Sequence, residues 1–192
     1  MKGGLIMIRI RIPKERVGAL IGKEGSIKNR IEELTGADLK IDSKTGEVVV
    51  SFPKGSEDPL IPIKVERIIR AIGRGFSPEK ALDLLSDDYV LEIIDLRAIF
   101  GDNKNAIRRI KGRIIGEGGK ARLYIEKRTG AKISVYGHTV SIIGRYYNVI
   151  PAKEAIMALI EGKSHAAAYR RMEKEIAQLK EAQFAEKRLL GE

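Results

Sequence analysis

Two glycine-bracketed loops, each opening an amphipathic stretch, constrain this chain more than any other feature. Shifting the sequence by 94 positions lays Gly18-Ala-Leu-Ile-Gly22-Lys-Glu-Gly25 over Gly112-Arg-Ile-Ile-Gly116-Glu-Gly-Gly119. The same shift lays Thr35-Gly36-Ala37 over Thr129-Gly130-Ala131. Self-similarity at one fixed offset marks a duplicated structural unit. Each copy must fold around the same pair of spaced glycines.

The flanking patterns agree between copies. Ile6, Ile8, Ile10 and Ile12 alternate with Arg9 and Arg11, the period of a half-buried strand. Pro13 ends that strand and suits the first turn of a short helix through Leu20. After the loop, Ile27, Ile31 and Leu34 fall on one face of a helix that Gly36 stops. Leu39 and Ile41 predict a strand, residues 43–46 a turn, and Glu47 to Phe52 another strand. Beyond Pro53–Pro62 a helix is expected from about Ile63 to Ile72. The second copy reads as strand Tyr89–Leu96, helix Lys104–Ile114, helix Lys120–Arg128, strands Lys132–Tyr136 and Thr139–Ile143, and a helix ending near Glu161. The order is β-α-α-β-β-α twice. Between the copies Ser77 and Pro78 start a short helix as N-cap and first residue. The expected division is residues 1–86, 87–163 and a terminal helix at 164–192.

Composition narrows the partners. With 36 Lys plus Arg against 26 Asp plus Glu, the net charge of +10 favours a polyanion such as nucleic acid. The absence of Cys excludes disulfides and thiolate metal sites and points to a reducing, cytoplasmic setting. The apolar run Leu5–Ile8 is cut by Arg9 and Arg11, so it makes no signal peptide, and no apolar run approaches bilayer length. His138 and His165 stand apart from other ligand-type residues, so no metal or cofactor site is expected. Nucleotide motifs fail on spacing. Gly18-to-Lys23 is one residue short of a phosphate-binding P-loop, and Glu24 stands where Ser or Thr would hold Mg²⁺. No nucleophile–base pairing is legible, and the chain is read as a binding protein rather than an enzyme.

What the loops can do follows from their residues. Glycine lets the backbone bend and lets a sugar-phosphate chain come close, and the following helix N-terminus favours phosphate. Lys23 lies inside the first loop; the second carries Glu117 and Gly118 instead, with Lys111, Arg113, Lys120 and Arg122 around it and Arg108 and Arg109 upstream. The plainer reading is a helix–helix turn beside a solvated basic face.

The order β-α-α-β-β-α, the Ile-Gly-x-x-Gly loop and the following Thr-Gly-Ala together resemble the KH domain of eukaryotic topology, in both halves. The resemblance implies an α+β fold of two tandem type I KH modules, each a three-stranded sheet with helices on one face, plus a C-terminal helix. KH loops clamp about four single-stranded nucleotides, with the bases over an aliphatic groove. Carried onto this chain, that implies RNA contacts from Gly22, Lys23, Glu24, Gly25 and Lys28, with Ile21, Ile27, Leu39 and Ile41 beneath the bases. In the second copy it implies Arg113, Gly116, Glu117, Gly118, Gly119, Lys120 and Arg122, with Ile115 and Ile133 in the groove.

Two such modules, a joining helix and a C-terminal helix resemble in particular the ribosomal RNA processing factors of the partner-of-Nob-one type, in archaeal form. That resemblance implies binding near the 3′ end of small-subunit rRNA, help to the endonuclease that matures it, and contact with a translation initiation factor subunit. A transcription or RNA-decay accessory protein, or a scaffold with degenerate KH modules, are the other readings. In the last segment Tyr169, Met172, Ile176 and Leu179 form a seam spaced by threes and fours. It either packs on the second module or presents an arm to another protein.

Overall fold

The computed structural model describes residues 6–53 and 58–190, and within them two compact units, 1–87 and 88–192. Leu5, part of the connection Pro53–Pro62, and the last two residues of the terminal segment lie outside the described residues.

The first unit runs β1 (Met7–Arg11), α1 (Lys14–Ile21), α2 (Ser26–Thr35), β2 (Asp38–Asp42), β3 (Glu47–Ser51), α3 (Ile61–Gly73) and α4 (Pro78–Leu82). Its sheet has the order β1-β3-β2, antiparallel throughout. The central strand brings Val48 opposite Ile10 on one side and Ile41 on the other. Val48 and Val50 are wholly buried. Against them α3 sets Val65, Ile68, Ile69 and Ile72, a stripe at i, i+3, i+4 and i+7 that is fully buried. At about 25 cal/mol per Å² of apolar surface, that stripe and its partners are what drive this unit to fold. Arg9 and Arg11 stay exposed while Ile10 and Ile12 are buried, as the alternation requires. On α3, Lys64 is buried, and its ammonium meets Asp58 at 2.9 Å and Asp87 at 2.5 Å. The hydrogen bond to Asp87, then that to Asp58, raises its pKa above the ordinary lysine value.

The second unit repeats the plan with β4 (Tyr89–Asp95), α6 (Lys104–Ile115), α7 (Lys120–Thr129), β5 (Lys132–Tyr136), β6 (Thr139–Arg145) and α8 (Tyr146–Ile160). The sheet order is β4-β6-β5. One element is new: α5 (Leu96–Phe100), inserted between β4 and α6. The strand expected to reach Leu96 stops at Asp95, whose carboxylate accepts the Arg97 N–H at 2.9 Å and caps the short helix. Leu96 is fully buried and anchors it.

The terminal helix α9 (His165–Leu190) starts at Ser164, whose hydroxyl accepts the Ala167 N–H at 3.2 Å. Its first turns belong to the second unit. Ala168 and Met172 are fully buried in that core, with Tyr169 and Ile176 packed against it. The Tyr124 and Tyr169 rings lie 4.4 Å apart. Arg128 of α7 grips Glu173 through two hydrogen bonds of 2.5 Å, which hold the Glu173 carboxyl below its usual range. Arg171 reaches Glu154 at 2.5 Å and Glu161 at 3.0 Å. Further along, Phe184, Leu189 and Leu190 are exposed. So the first half of the helix packs on its own module and the second half projects an apolar residue every few positions.

Candidate nucleic-acid interface

Each loop is a tight turn wedged between two α-helices, Lys23–Gly25 after α1 and Glu117–Gly119 after α6. The backbone angles match: φ is 75° at Gly22 and 74° at Gly116, and 79° at Gly25 and 77° at Gly119. The first glycine of each pair has two reasons to be glycine. A Cβ on Gly22 would sit 2.5 Å from Ile27 Cγ1 and 2.8 Å from the Ile27 nitrogen. On Gly116 it would sit 2.7 Å from both Cβ and N of Ala121. The loop therefore presses on the first turn of the next helix, aiming that helix N-terminus along the loop.

Between the glycines the copies diverge. The second residue of the pair is left-handed in both, with φ of 53° at Glu24 and 59° at Gly118. Gly118 adopts this freely, whereas Glu24 is the one non-glycine residue with positive φ among the described residues. Lys23, Glu24, Glu117 and Gly118 are all exposed, as is Lys120 at the start of α7.

Behind the loops the Thr-Gly-Ala triplet builds a corner. Thr35 Oγ1 donates to the Ile31 carbonyl at 2.7 Å and accepts the Ala37 N–H at 3.3 Å. Thr129 does the same with Ile125 and Ala131, at 2.8 and 3.2 Å. Beside each corner a glutamate ties helix to strand. Glu32 accepts the Leu39 N–H at 2.8 Å, and Glu126 accepts the Ile133 N–H at 2.8 Å. The same carboxylates take Lys28 at 3.2 Å and Arg122 at 3.5 Å. Lys28 and Arg122, expected to contact RNA, are about one-third exposed and also hold these pairs; Arg122 reaches the Ile133 carbonyl at 3.4 Å.

Three further expected contacts fall elsewhere. Leu39 and Ile133 are 1% and 3% exposed, so they are core residues and not a groove floor. Their strands run out of the core one pleat later, at the half-buried Ile41 and Val135. Val135, which the sequence reading omitted, lies 94 positions after Ile41 and was reachable by the shift that revealed the loops. Ile21, Ile27 and Ile115 are likewise half-buried next to the loops. Arg113 turns inward. Its guanidinium donates to the Leu159 carbonyl at 2.7 Å and to the Lys163 carbonyl, closing the end of α8. In the first unit Arg16 does this from a different position, bonding the carbonyls of Ile72 and Phe76 at 2.8 Å each.

The second unit carries an open groove of about 610 Å³ along α6, bounded by α5 and the Gly137-His138 turn. Ile107 and Ile115 supply its apolar floor, and Arg97, Lys104, Arg108 and Lys111 its rim. Lys111 spans it, its Nζ donating to the Gly137 carbonyl at 2.7 Å. His138 accepts the Leu96 N–H through its carbonyl at 2.8 Å, fixing the turn against α5. An apolar floor with a cationic rim suits stacked bases and a phosphate backbone.

Comparison with known proteins places this geometry. Residues 7–87 match the model of the KH domain, and residues 90–177 match that of the eukaryotic-type KH domain, type I. A KH domain-containing protein of Methanocaldococcus jannaschii is 50% identical over 175 residues, covering 91% of this chain and 76% of that protein. The pre-rRNA-processing protein pno1 of Schizosaccharomyces pombe is 28% identical over 179 residues, covering 91% and 73%. Among solved structures, Dim2p of Pyrococcus horikoshii superposes with a TM-score of 0.81 at 46% identity, over 88% of this chain and 99% of that one. A chain from the complex of a/eIF2alpha, aDim2p and rRNA of the same organism superposes with a TM-score of 0.85 at 44% identity, over 92% and 97%. The chain belongs to the family of paired KH-domain proteins that includes archaeal Dim2p and eukaryotic pno1.

Proposed function

We propose that this protein binds single-stranded RNA near the 3′ end of small-subunit rRNA and assists maturation of the small ribosomal subunit, as a binding factor and not a catalyst. The observation that carries the reading is the pair of superposable glycine loops, each pressed on a helix N-terminus and flanked by half-buried aliphatic side chains. The Dim2p of the Pyrococcus complex, 44% identical, is assembled with rRNA and a/eIF2alpha, which supports both the ligand and an initiation factor subunit as partner. The maturation endonuclease is the other partner of the proposal, and the cytoplasm its setting. No helix among the described residues is long and apolar enough to cross a membrane.

Acidic loops test the clamp. Lys23→Asp with Glu24→Asp, and Glu117→Asp with Gly118→Asp, are made separately and together. Asp tolerates the left-handed position better than most residues, and nothing lies within 4 Å of a Cβ at Gly118. Affinity for an rRNA 3′-end oligomer is then measured across salt concentration. The first pair lowers the net charge by two and the second by one, so the first loop variant loses more affinity and the fourfold variant most. A fourfold variant that keeps the wild-type circular dichroism and binds as tightly as wild type ends the proposal.

A further inference from the structure

We infer that α5 and the first two turns of α6 give the second unit an additional phosphate-binding subsite, formed by Arg97, Lys104 and Arg108, which lengthens the RNA segment it holds. The inference rests on the RNA reading above and says where in that unit further nucleotides go.

The first unit has no counterpart. There β1 passes to α1 through Ile12 and Pro13 alone, and α1 has 8 residues. In the second unit α5 is inserted and α6 has 12 residues, so about one turn is added at the end far from the glycine loop. Aligned on the glycines, Arg108 falls on Lys14, and Arg97 and Lys104 fall outside the repeat.

The added segment is held rigidly. Leu96 is fully buried, its N–H is bonded to the His138 carbonyl at 2.8 Å, and Asp95 caps the helix on the Arg97 N–H. Phe100 packs against the unit's core. Asn103 Oδ1 accepts the Ala106 N–H at 3.1 Å and starts α6. Lys104, Arg108 and Lys111 then follow at i, i+4 and i+7, a single stripe about 10 Å long. That stripe and Arg97 face the same groove.

The charges there are uncompensated. Arg97, Lys104 and Arg108 are exposed, and none has an ion-pair partner among the described residues. The neighbouring Asp95 carboxylate is engaged with the Arg97 backbone and lies 3.8 Å from His138. By contrast two cations near the second loop are committed, Arg113 to carbonyls and Arg122 to Glu126. Free cations beside an apolar groove floor, continuous with the loop through Ile115, are what a second stretch of phosphodiester would meet.

The test uses the full chain with Arg97→Gln, Lys104→Gln and Arg108→Gln together, and Arg109→Gln as a control cation on the same helix outside the groove. Oligomers of rRNA 3′-end sequence are titrated, one of about four nucleotides, the span of a KH clamp, and others extended at either end. For the triple variant we expect unchanged affinity for the short oligomer and loss of the gain that extension at one end gives wild type. The slope of log affinity against log salt for the extended oligomer should shrink by about 2, from three contacts at about 0.7 each. Arg109→Gln should change neither. If the triple variant keeps both the length advantage and the slope, the subsite is wrong while the loop clamp stands. If wild type binds no oligomer of any length, the RNA reading fails and takes the subsite with it.

Discussion

The two units agree where the fold needs a residue and differ where a ligand would read one. Gly22 and Gly116, Glu32 and Glu126, and Thr35 and Thr129 occupy the same places and make the same hydrogen bonds or close approaches. Between the glycines, by contrast, Lys23-Glu24 stands against Glu117-Gly118, and α5 has no equivalent in the first unit. The repeat is therefore a repeat of scaffold. Even the closure of the last helix is solved twice, by Arg16 in one unit and Arg113 in the other, from positions that do not align. A duplicated fold keeps its geometry by a few local bonds and leaves the groove walls free to diverge.

The sharpest way to break this comparison is to put a Cβ on the leading glycines. Gly116→Ala and Gly22→Ala each meet a positive φ with ψ near 180°, a region essentially reserved for glycine, and an approach under 3 Å to the next helix. Backbone strain of about 1–3 kcal/mol and overpacking of about 1–3 kcal/mol combine to destabilise each unit by roughly 3 kcal/mol or more. Both meet a fixed backbone nitrogen, at 2.8 Å in Ile27 and 2.7 Å in Ala121, but the Ile27 Cγ1 and Ser26 Oγ can turn aside while the Ala121 Cβ cannot, so Gly116→Ala costs more. Urea titration of both variants checks the order. If both unfold at the wild-type midpoint, the glycines serve the ligand alone.

Much of this was legible in the sequence, and the misses have physical causes. The loops, both corners and the six strands among the described residues follow from local periodicity and from glycine's unusual angles. Helix α5 was missed because five residues cannot display a 3.6-residue period, and its one signal, Asp95 as cap, sat at the end of a strong strand pattern. The alternation Leu39–Ile41 told which face pointed inward but not how far the core reached along it. Counting charge near the second loop credited Arg113 and Arg122 to the ligand, because a sequence does not say where a guanidinium points. For Arg122 the acid four residues on, Glu126, was the available clue.

The arginine pair offers the next test. Arg113→Ala removes charge-assisted bonds to the Leu159 and Lys163 carbonyls, at a helix end where Leu159 still accepts the Gly162 N–H at 3.1 Å. At about 1.5–3 kcal/mol for a hydrogen bond to a charged group, a loss near 2 kcal/mol is expected after relaxation. Arg16→Ala should cost the first unit about as much, through Ile72 and Phe76. Neither change should alter the salt dependence of RNA binding. A shallower slope for Arg113→Ala, with stability intact, would return that residue to the interface.

The smallest effect probes the loops themselves. Glu24 holds a left-handed angle that Gly118 takes without strain. Glu24→Gly relieves that strain but loosens the unfolded chain, so the two terms offset and a net gain of about 0.5 kcal/mol is expected. Gly118→Glu is the mirror experiment. Open space lies around its Cβ, so the cost is backbone strain less the entropy that Glu removes from the unfolded chain, about 0.5 kcal/mol net. Opposite signs at aligned positions would show that the two loops share one backbone geometry imposed by their flanking helices. Equal signs would show that each loop relaxes around its own sequence, and the superposition of φ values would then carry no functional weight. Binding separates the roles further. Glu24→Gly also removes a negative charge beside Lys23, so RNA affinity should rise modestly at low salt and converge with wild type as salt screens the loop.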